Sequence, residues 1–229
     1  MAVDEALLQT AADGDRACLR FYRWIEPTVS LGYFQPYVRR QHHQPSFACP
    51  LVRRSTGGGA IVHDHEITYS FTAPIRDRIS ARLQALYDAF HETLVEIFAH
   101  WGISAELCVP SDRQPIDDPF LCFQRRAAGD VLIRGVKVAG SAQHRRHRAI
   151  LQHGSVLLRN SRFTPELSGI YELTGTQIEQ GKLISAWLER LSSKLGLRAD
   201  LGELESAEIE LATQLDREKF RCSAWTHRR

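Results

Sequence analysis

The chain has 229 residues, 43% hydrophobic and 24% charged, and its 29 basic and 27 acidic residues give a formal net charge of +2. These proportions suit a globular protein with a sizeable core and give no reason to expect nucleic acid as a partner. Residues 1–13 carry acids where a signal peptide needs an apolar core, and no apolar run approaches the length of a membrane span. We therefore expect a cytoplasmic protein without a membrane partner.

The first half of the chain predicts a short helix, a series of strands and a long helix. The short helix covers Val3–Ala12 and stops before Gly14. Apolar residues spaced by three and four predict a helix over Ser80–Trp101 that buries one stripe in the core. Runs rich in β-branched and aromatic residues predict strands at Cys18–Trp24, Thr28–Phe34, Leu51–Arg54, Ala60–His63 and Ile67–Thr72.

The second half predicts strands between Val131 and Leu158, followed by helices. A tight turn is expected at Arg134-Gly135 and a longer polar turn at His144–Arg148. The helices are expected at Thr176–Leu195 and Glu203–Phe220. Grouped strands and helices indicate an α+β fold, and the lack of a linker indicates one domain over residues 1–229.

Three consecutive glycines, Gly57, Gly58 and Gly59, interrupt a strand pattern. Glycine weakens a strand, but it lets backbone N–H groups approach a ligand closely. The preceding Arg54 could then hold a carboxylate or a phosphate. The run lacks the Gly-Lys-Ser/Thr ending of a P-loop. The alternative is a flexible hairpin turn with two solvated arginines.

A lysine lies in the strand-like stretch Val136–Gln143. Strand alternation places Lys137 with Ala139 and Ser141 on one face and Gly140 on the other. A cation between two valines is costly to bury unless an anionic group meets it. The stretch therefore favours a ligand site, and the alternative is an edge-strand lysine that prevents aggregation.

The five cysteines are scattered and form no CxxC pair, so we expect reduced thiols and neither a disulfide framework nor a metal site. Cys122 differs from the others because Arg125 and Arg126 follow it and Lys137 returns across a predicted hairpin. Positive charge near a thiol favours the nucleophilic thiolate. The alternative is inert packing, the usual role of a free cysteine. The prolines that predict a loop before it are Pro110, Pro115 and Pro119.

Basic residues are concentrated between Cys122 and Arg159, where Asp130 is the single acid. One basic face would attract an acidic protein partner, and the alternative is a solvated hairpin rim. No aromatic residues interleave with the polar run, which argues against single-stranded nucleic acid. The basic residues are Arg125, Arg126, Arg134, Lys137, Arg145, Arg146, Arg148 and Arg159.

Together these motifs resemble the biotin/lipoate protein ligase superfamily, most closely the cysteine-dependent octanoyltransferases and lipoyl amidotransferases of lipoate assembly. The resemblance covers most of the chain and implies an α+β domain whose mixed, mainly antiparallel sheet is flanked by helices. The matching stretches are Ala2–Leu8, Pro27–Gly32, Arg53–Asp64, Lys137–Gln143 and Ile150–Ser155, together with Cys122-Phe123.

The resemblance implies an acyltransferase that works through a thioester on Cys122. It would move an octanoyl or lipoyl group from a carrier-protein thioester or a lipoylated carrier domain to a lysine of a lipoyl domain. The implied donor is acyl carrier protein or a lipoylated domain, and the implied acceptor is the glycine-cleavage H protein or a 2-oxoacid dehydrogenase. A thioester already holds the energy of amide formation, so no cofactor is expected.

The implied catalytic residues are Cys122 and Lys137. Lys137 and N–H groups of Gly57–Gly59 or Gly140–Ser141 would stabilise an oxyanion, and an apolar tunnel would hold the acyl tail. His153 is either a general base or a buried structural histidine. The implied substrate-binding residues are Arg54, Gly57, Gly58, Gly59, Ala60, His63, Asp64, Gly140, Ser141, Ala142, His153 and Gly154.

Two alternatives remain at this point. An ATP-dependent lipoate ligase would use ATP and magnesium to form an acyl-adenylate, and its activity would survive loss of the Cys122 thiol. A non-catalytic acyl-binding partner subunit would bind a fatty acyl chain without forming a covalent adduct.

Overall fold

The strands form two sheets in the computed structural model, which describes residues 1–75, 80–109, 119–146 and 148–228. The larger sheet is antiparallel throughout and has the order β1-β5-β9-β8-β7-β6; the smaller, mixed sheet has the order β3-β2-β4. The strands are β1 (Cys18–Tyr22), β2 (Thr28–Leu31), β3 (Leu51–Arg53), β4 (Ile61–His63), β5 (Glu66–Pro74), β6 (Glu106–Leu107), β7 (Val131–Ile133), β8 (Val136–Arg146) and β9 (Ala149–Leu157).

Helices flank the sheets, which confirms the predicted α+β class. They are α1 (Ala2–Asp13), α2 (Ser80–His100), α3 (Ile170–Thr174), α4 (Gln180–Leu195), α5 (Ser206–Leu215) and α6 (Ser223–Thr226). Among the described residues, every helix is too short or too polar to span a bilayer.

The main core lies between the larger sheet and the helices α2 and α4. The predicted apolar stripe of α2 is buried there through Phe90, Leu94 and Phe98, and Trp187 of α4 is also inaccessible to solvent. The indole N–H of Trp187 donates to the Phe90 carbonyl and to Thr93 Oγ1 at 3.2 and 3.0 Å. This bonding satisfies the one polar group that the buried ring carries.

A second core fixes the small sheet against the segment that carries Cys122. Val29, Leu31 and Val62 pack against Phe120 and Leu121. The backbone of Leu121 forms a parallel bridge with Ala60, directly after the glycine run. The fold therefore brings the cysteine segment and the glycine run together.

Several predicted boundaries are wrong. The polar turn expected at His144–Arg148 is mostly strand, because β8 and β9 stay paired up to Arg146 opposite Ala149. Residue 147 lies outside the described ranges. The helix expected from Thr176 starts at Gln180, and the unpredicted helix α3 precedes it. Gly175, whose φ is +75°, separates the two helices.

The remaining differences are at element ends. The strands expected to reach Trp24 and Phe34 stop at Tyr22 and Leu31. The last long helix begins at Ser206 rather than Glu203. Glu205 and Glu208 form a capping box at this observed start. After Leu215 it continues as a single π-helical turn to Phe220.

Candidate active site

The backbone around Cys122 is held by the strand segment that follows the glycine run. The N–H of Cys122 donates to the Ala60 carbonyl at 2.8 Å, and the Ala60 N–H donates to the Phe120 carbonyl at 2.9 Å. Cys122 then begins a short 3₁₀ turn that ends at Gln124. The expected loop is therefore ordered at the cysteine. Pro110 and Pro115 lie outside the described residues.

A cavity with about 480 Å³ of empty volume opens beside the Cys122 side chain. It lies where the glycine run, the cysteine turn and the strands β8 and β9 meet. Its lining includes most residues predicted for the site: Arg54, Gly57, Gly58, His63, Cys122, Lys137, Gly140, Ser141, Ala142, His153 and Gly154.

Three predicted substrate-binding residues do not line this cavity. Gly59 packs against the cysteine turn so closely that an added Cβ would lie 2.9 Å from the Cys122 nitrogen. Ala60 forms the bridge to Leu121. Asp64 accepts a hydrogen bond from Ser161 Oγ at 2.7 Å, at a different surface pocket. Gly59 and Ala60 therefore support the cysteine segment from behind, whereas Asp64 lies outside this site.

Lys137 is the cationic neighbour of the thiol. Its Nζ lies 3.9 Å from Cys122 Sγ and 2.8 Å from Asp130 Oδ2. Lys137 is 6% exposed and Asp130 is 1% exposed. The anionic group that a buried lysine requires is therefore a protein carboxylate. Lys137 is not the edge-strand lysine of the alternative hypothesis.

The predicted facing of Lys137 is wrong. The pairing of β7 with β8 shifts between Val131 and Leu132, whose partners are Ala139 and Lys137, so Val138 is an extra residue in β8. Such a bulge breaks the simple alternation of side chains. As a result Lys137 lies across Gly140, where an added Cβ would be 2.5 Å from its Cε.

The two arginines before the glycine run are buried, which contradicts the solvated hairpin. Arg53 is fully buried and donates to the carbonyls of Gly32 and Thr226. Arg54 donates to the carbonyls of Gly57 and Gly59 at 2.9 and 2.7 Å. Burial lowers the pKa of Arg54 to about 10, so the guanidinium stays charged near neutral pH. Its hydrogen bonds to the loop carbonyls brace the loop; the expected carboxylate or phosphate contact stays a prediction.

The bracing by Arg54 also orients the peptide groups of the loop. Because a peptide N–H is trans to the preceding carbonyl, the Gly58 N–H points away from Arg54. No backbone carbonyl of the described chain accepts the N–H of Gly57, Gly58 or Gly59. Gly58 has φ +92°, and an added Cβ would be 3.7 Å from Cys122 Sγ. Of the three glycines, Gly58 is therefore the one whose backbone lies next to the sulfur.

Of the second pair of expected donors, Gly140 and Ser141, Ser141 belongs to a hydrogen-bonded network. The backbone of Ser141 bonds the Tyr87 hydroxyl. Its Oγ contacts the Tyr69 hydroxyl at 2.5 Å and His91 Nε2 at 2.6 Å, while His91 Nδ1 meets the Gly129 carbonyl at 2.6 Å. Burial lowers the pKa of His91 to about 4, so the ring is neutral near pH 7. This network supports β8 below the cavity.

His153 is held at both ring nitrogens. Nε2 contacts Thr56 Oγ1 at 2.5 Å, and Nδ1 lies 3.7 Å from Asp4 Oδ2 in α1. Burial lowers the pKa of His153. On the same side, Ser55 Oγ donates to Glu5 Oε2 at 2.6 Å. These contacts favour a structural role for His153, which links α1 to the residues before the glycine run.

His63 forms the wall on the β4 side. Its Nε2 meets Ser30 Oγ at 2.8 Å and its Nδ1 meets Glu66 Oε1 at 3.2 Å, and its ring stacks on Trp24. Burial lowers the pKa of His63. With both nitrogens bonded, His63 contributes an ordered wall to the cavity.

The sequence analysis missed several residues of the site. Asp130 had a signal, because it was the single acid in a basic stretch next to a lysine that needed an anion. Tyr69, Tyr87 and His91 gave none, because they lie among apolar residues of core elements. The missed residues that line the cavity are Met1, Ile61, Thr68, Phe123 and Ser155.

The predicted basic face is wrong. Arg134 follows β7, whereas Arg145 and Arg146 lie at the far end of β8, roughly 33 Å away along the strand. Arg125 donates to the Pro119 carbonyl at 2.9 Å, and Arg146 pairs with Glu5 at 3.2 Å. Of the basic residues that follow the thiol directly, Arg126 is the exposed one.

In the described ranges, no cluster of three or more His, Cys, Asp or Glu side chains is arranged to hold a metal ion. The chemistry that the arrangement offers is that of a half-buried thiol beside a buried ammonium group, with the backbone of Gly58 also close to the sulfur.

Comparisons with known proteins identify the family of the chain. The model of the lipoyl protein ligase A/B catalytic domain matches residues 1–189. The octanoyltransferase LipM of Macrococcus caseolyticus is 32% identical over a 260-residue alignment that covers all of this chain and 94% of the relative. The LipM of Oceanobacillus iheyensis is 33% identical over 213 residues, covering 91% of this chain and 75% of the relative.

Solved structures share the fold. A bipartite lipoate protein ligase from Thermoplasma acidophilum superposes with a TM-score of 0.77 and 21% identity, covering 99% of this chain and 89% of the other. A lipoate-protein ligase A bound with ATP gives a TM-score of 0.78 and 22% identity, covering 99% and 92%.

Proposed function

Because the chain belongs to the family of lipoyl protein ligase A/B catalytic domains, we propose that it is an octanoyltransferase that works through a thioester on Cys122. The observation that carries the role of Cys122 is its position. The thiol lies on the wall of the cavity with Lys137 Nζ 3.9 Å away. An inert core cysteine would need neither the cavity nor the cation.

The first step exchanges one thioester for another. The Cys122 thiolate attacks the carbonyl carbon of the donor thioester, the new carbon–sulfur bond forms, and the bond to the donor sulfur breaks. The donor leaves as a thiolate that takes up a proton. Bonds of the same kind form and break, so the step is close to thermoneutral and requires no ATP.

The second step makes the amide. The neutral amine of an acceptor lysine attacks the acyl-Cys122 carbonyl, loses a proton, and displaces the Cys122 thiolate. Both steps pass through an oxyanion, which the Lys137 ammonium and the N–H of Gly58 would stabilise. Loss of one such donor typically raises the barrier by roughly 3–4 kcal/mol.

The cavity offers an apolar site for the acyl tail. Ile61, Phe123 and the glycines of the lining present carbon atoms. At about 0.8 kcal/mol per methylene, the six methylenes of an octanoyl tail would contribute roughly 5 kcal/mol to binding. That contribution would hold the acyl group in place between the two steps.

The partners follow from this chemistry. The acceptor is a lipoyl domain, with the glycine-cleavage H protein and 2-oxoacid dehydrogenase domains as the candidates. The donor is acyl carrier protein or a lipoylated domain, and we place the reaction in the cytoplasm. Supplying each donor separately, with purified lipoyl domain as acceptor, identifies the one that is used.

Intact-mass spectrometry tests the thioester. Incubation with octanoyl-acyl carrier protein should add one octanoyl mass, which hydroxylamine or a lipoyl domain then removes. Cys122→Ser should abolish the adduct, whereas Cys108→Ser, a half-buried cysteine away from the cavity, should keep it. A second assay supplies ATP and free octanoate. Release of AMP in this assay, retained in the Cys122→Ser variant, would instead establish the ligase alternative. Tight acyl binding without an adduct would establish the binding-subunit alternative.

A further inference from the structure

A buried carboxylate lies behind Lys137 and does not line the cavity. The side chain of Asp130 is 1% exposed, and its Oδ2 is 2.8 Å from Lys137 Nζ. Lys137 itself does line the cavity, next to Cys122. A bound acyl group can therefore reach the ammonium group but not the carboxylate that pairs with it.

The position of this carboxylate does not depend on Lys137. The Ala127 N–H donates to Asp130 Oδ2 at 2.7 Å, and the Tyr87 hydroxyl donates to Oδ1 at 3.2 Å. The Asp130 N–H returns to the Ala127 carbonyl at 3.1 Å, which closes a turn around Gly129. The carboxylate is a fixed point to which a flexible side chain can attach.

Lys137 needs such a fixed point. Its side chain has four rotatable bonds and crosses Gly140, where no side chain confines it. The other contacts of its ammonium group are long, 3.9 Å to Cys122 Sγ and 5.5 Å to the centre of the Phe123 ring. The short contact to Asp130 is thus the one that sets where the charge lies.

We propose that Asp130 is a positioning residue, which keeps the Lys137 ammonium group within reach of Cys122 without touching the substrate. The inference rests on the proposed role of Cys122 as nucleophile. A positioning role and a bystander role predict opposite shifts, in the Asp130→Asn variant, of the pH at which the Cys122 thiolate forms.

The sign arises because two charges act on the thiol. The Asp130 carboxylate disfavours a thiolate, and the Lys137 ammonium favours it. If Asp130 is a bystander, Asp130→Asn leaves Lys137 in place and the thiolate forms at lower pH. If Asp130 positions Lys137, the ammonium group loses its place, and the thiolate forms at higher pH.

Alkylation of Cys122 by iodoacetamide, followed against pH by peptide mass spectrometry, separates these outcomes. We expect Asp130→Asn to raise the midpoint of the rate profile by about one pH unit, the usual effect of one nearby charge. Asp13→Asn makes the same chemical change at an exposed position away from the cavity and should leave the midpoint within roughly 0.3 unit of the wild type. A downward shift in Asp130→Asn overturns the proposal.

A double variant tests whether Asp130 acts through Lys137. In a Lys137→Met background, adding Asp130→Asn should not lower the alkylation rate, since the residue to be positioned is absent and only the repulsion by the carboxylate is removed. Equal effects of Asp130→Asn in both backgrounds overturn the proposal.

The rate of octanoyl adduct formation supplies the catalytic measurement. Asp130→Asn should lower kcat about a hundredfold, because a small displacement of the Lys137 ammonium group has an effect of this size. The KM for octanoyl-acyl carrier protein should stay unchanged. If that variant fails to fold, Asp130→Glu keeps the charge but moves it, and should also lower kcat at constant KM. Full activity of Asp130→Glu overturns the proposal. Absence of any adduct in the wild type refutes the thioester instead, while the alkylation profiles still test the pair.

Discussion

At the scale of single residues, the site depends on empty space as much as on functional groups. Lys137 can lie flat over β8 because Gly140 has no side chain, and an added Cβ would meet Lys137 Cε, its Nζ and Asp130 Oδ1 at 2.5, 2.7 and 2.9 Å. The glycine therefore determines the place of the cation that serves the thiol.

We predict that Gly140→Ala damages the site more than the fold. The Cβ would displace the flexible end of Lys137, which costs the fold little but moves the ammonium group away from Cys122. Formation of the octanoyl adduct should slow about a hundredfold, while the melting temperature falls by only a few degrees. Intact-mass kinetics and thermal melting measure the two effects.

Gly181→Ala is the matched control for this change. Gly181 lies in α4, away from the cavity, and an added Cβ would be 3.7 Å from its nearest contact. It should leave the adduct rate unchanged and stabilise the helix slightly. Normal adduct formation in Gly140→Ala would contradict the role given to Gly140.

Some residues of the site could be identified from the sequence, and others could not. The thiol, the lysine and the glycines are recognisable because each is an unusual residue in its local pattern. Asp130 was recognisable in principle, as the lone acid beside an unpaired cation. His91 and Tyr69 were not, because only tertiary packing shows that their polar atoms meet Ser141 below the cavity.

At the scale of elements, α1 holds the residues before the glycine run. Asp4 and Glu5 are both buried, which is unusual for acids in a first helical turn. Asp4 accepts from Arg20 Nη1 at 2.7 Å and from the Tyr22 hydroxyl at 2.9 Å, and Glu5 accepts from Ser55. The helix thus joins β1 to the loop that faces Cys122.

We predict that Asp4→Asn destabilises the protein by about 3 kcal/mol, because it removes one partner of a largely buried ion pair. Asp13→Asn makes the same change at the exposed end of the same helix and should stay within roughly 0.5 kcal/mol. Urea unfolding of both variants measures the difference. Equal stabilities would show that the buried carboxylate contributes nothing as a charge.

The type of an element was predictable where apolar residues repeat at a regular spacing over a long stretch. In α2 this spacing predicted the apolar stripe that is buried in the core. The facing of Lys137 was not predictable, because the bulge at Val138 comes from the register of β7 against β8 and leaves no mark in the local sequence. The end of β8 was misplaced for a similar reason, since pairing with β9 extends a polar segment that by itself resembles a turn.

At the scale of the whole molecule, the two sheets meet at the cavity, and this meeting was accessible only through the family resemblance. Strand and helix patterns predicted the α+β class but not which strands become neighbours. That order is set by long-range pairing, such as β5 with β9 and Ala60 with Leu121. The extent of the domain over residues 1–229 stays a prediction.

The stability of the whole molecule should fall with acid before its carboxylates are titrated. His91 is neutral when buried, and its pKa is lowered by burial to about 4, whereas an unfolded histidine titrates near 6.5. Between these values the unfolded state binds more protons than the folded state, so stability is full above about pH 6.5 and is lost as the pH falls towards 4. Burial acts in the same direction on His63 and His153.

We predict that the titration of His91 lowers the free energy of unfolding by roughly 3 kcal/mol between pH 7 and pH 4, because its pKa is about 4 in the folded protein and near 6.5 in the unfolded chain. Urea midpoints measured across this range give the slope. His91→Gln keeps an amide that can bond Ser141 and Gly129 but removes the titration, so its slope should be shallower by one histidine. His100→Gln, an exposed histidine at the end of α2, should leave the slope unchanged. A slope in His91→Gln identical to the wild type would mean that His91 takes up its proton over the same pH range in the folded and unfolded states, which would contradict a buried neutral ring whose Nε2 accepts a hydrogen bond from Ser141.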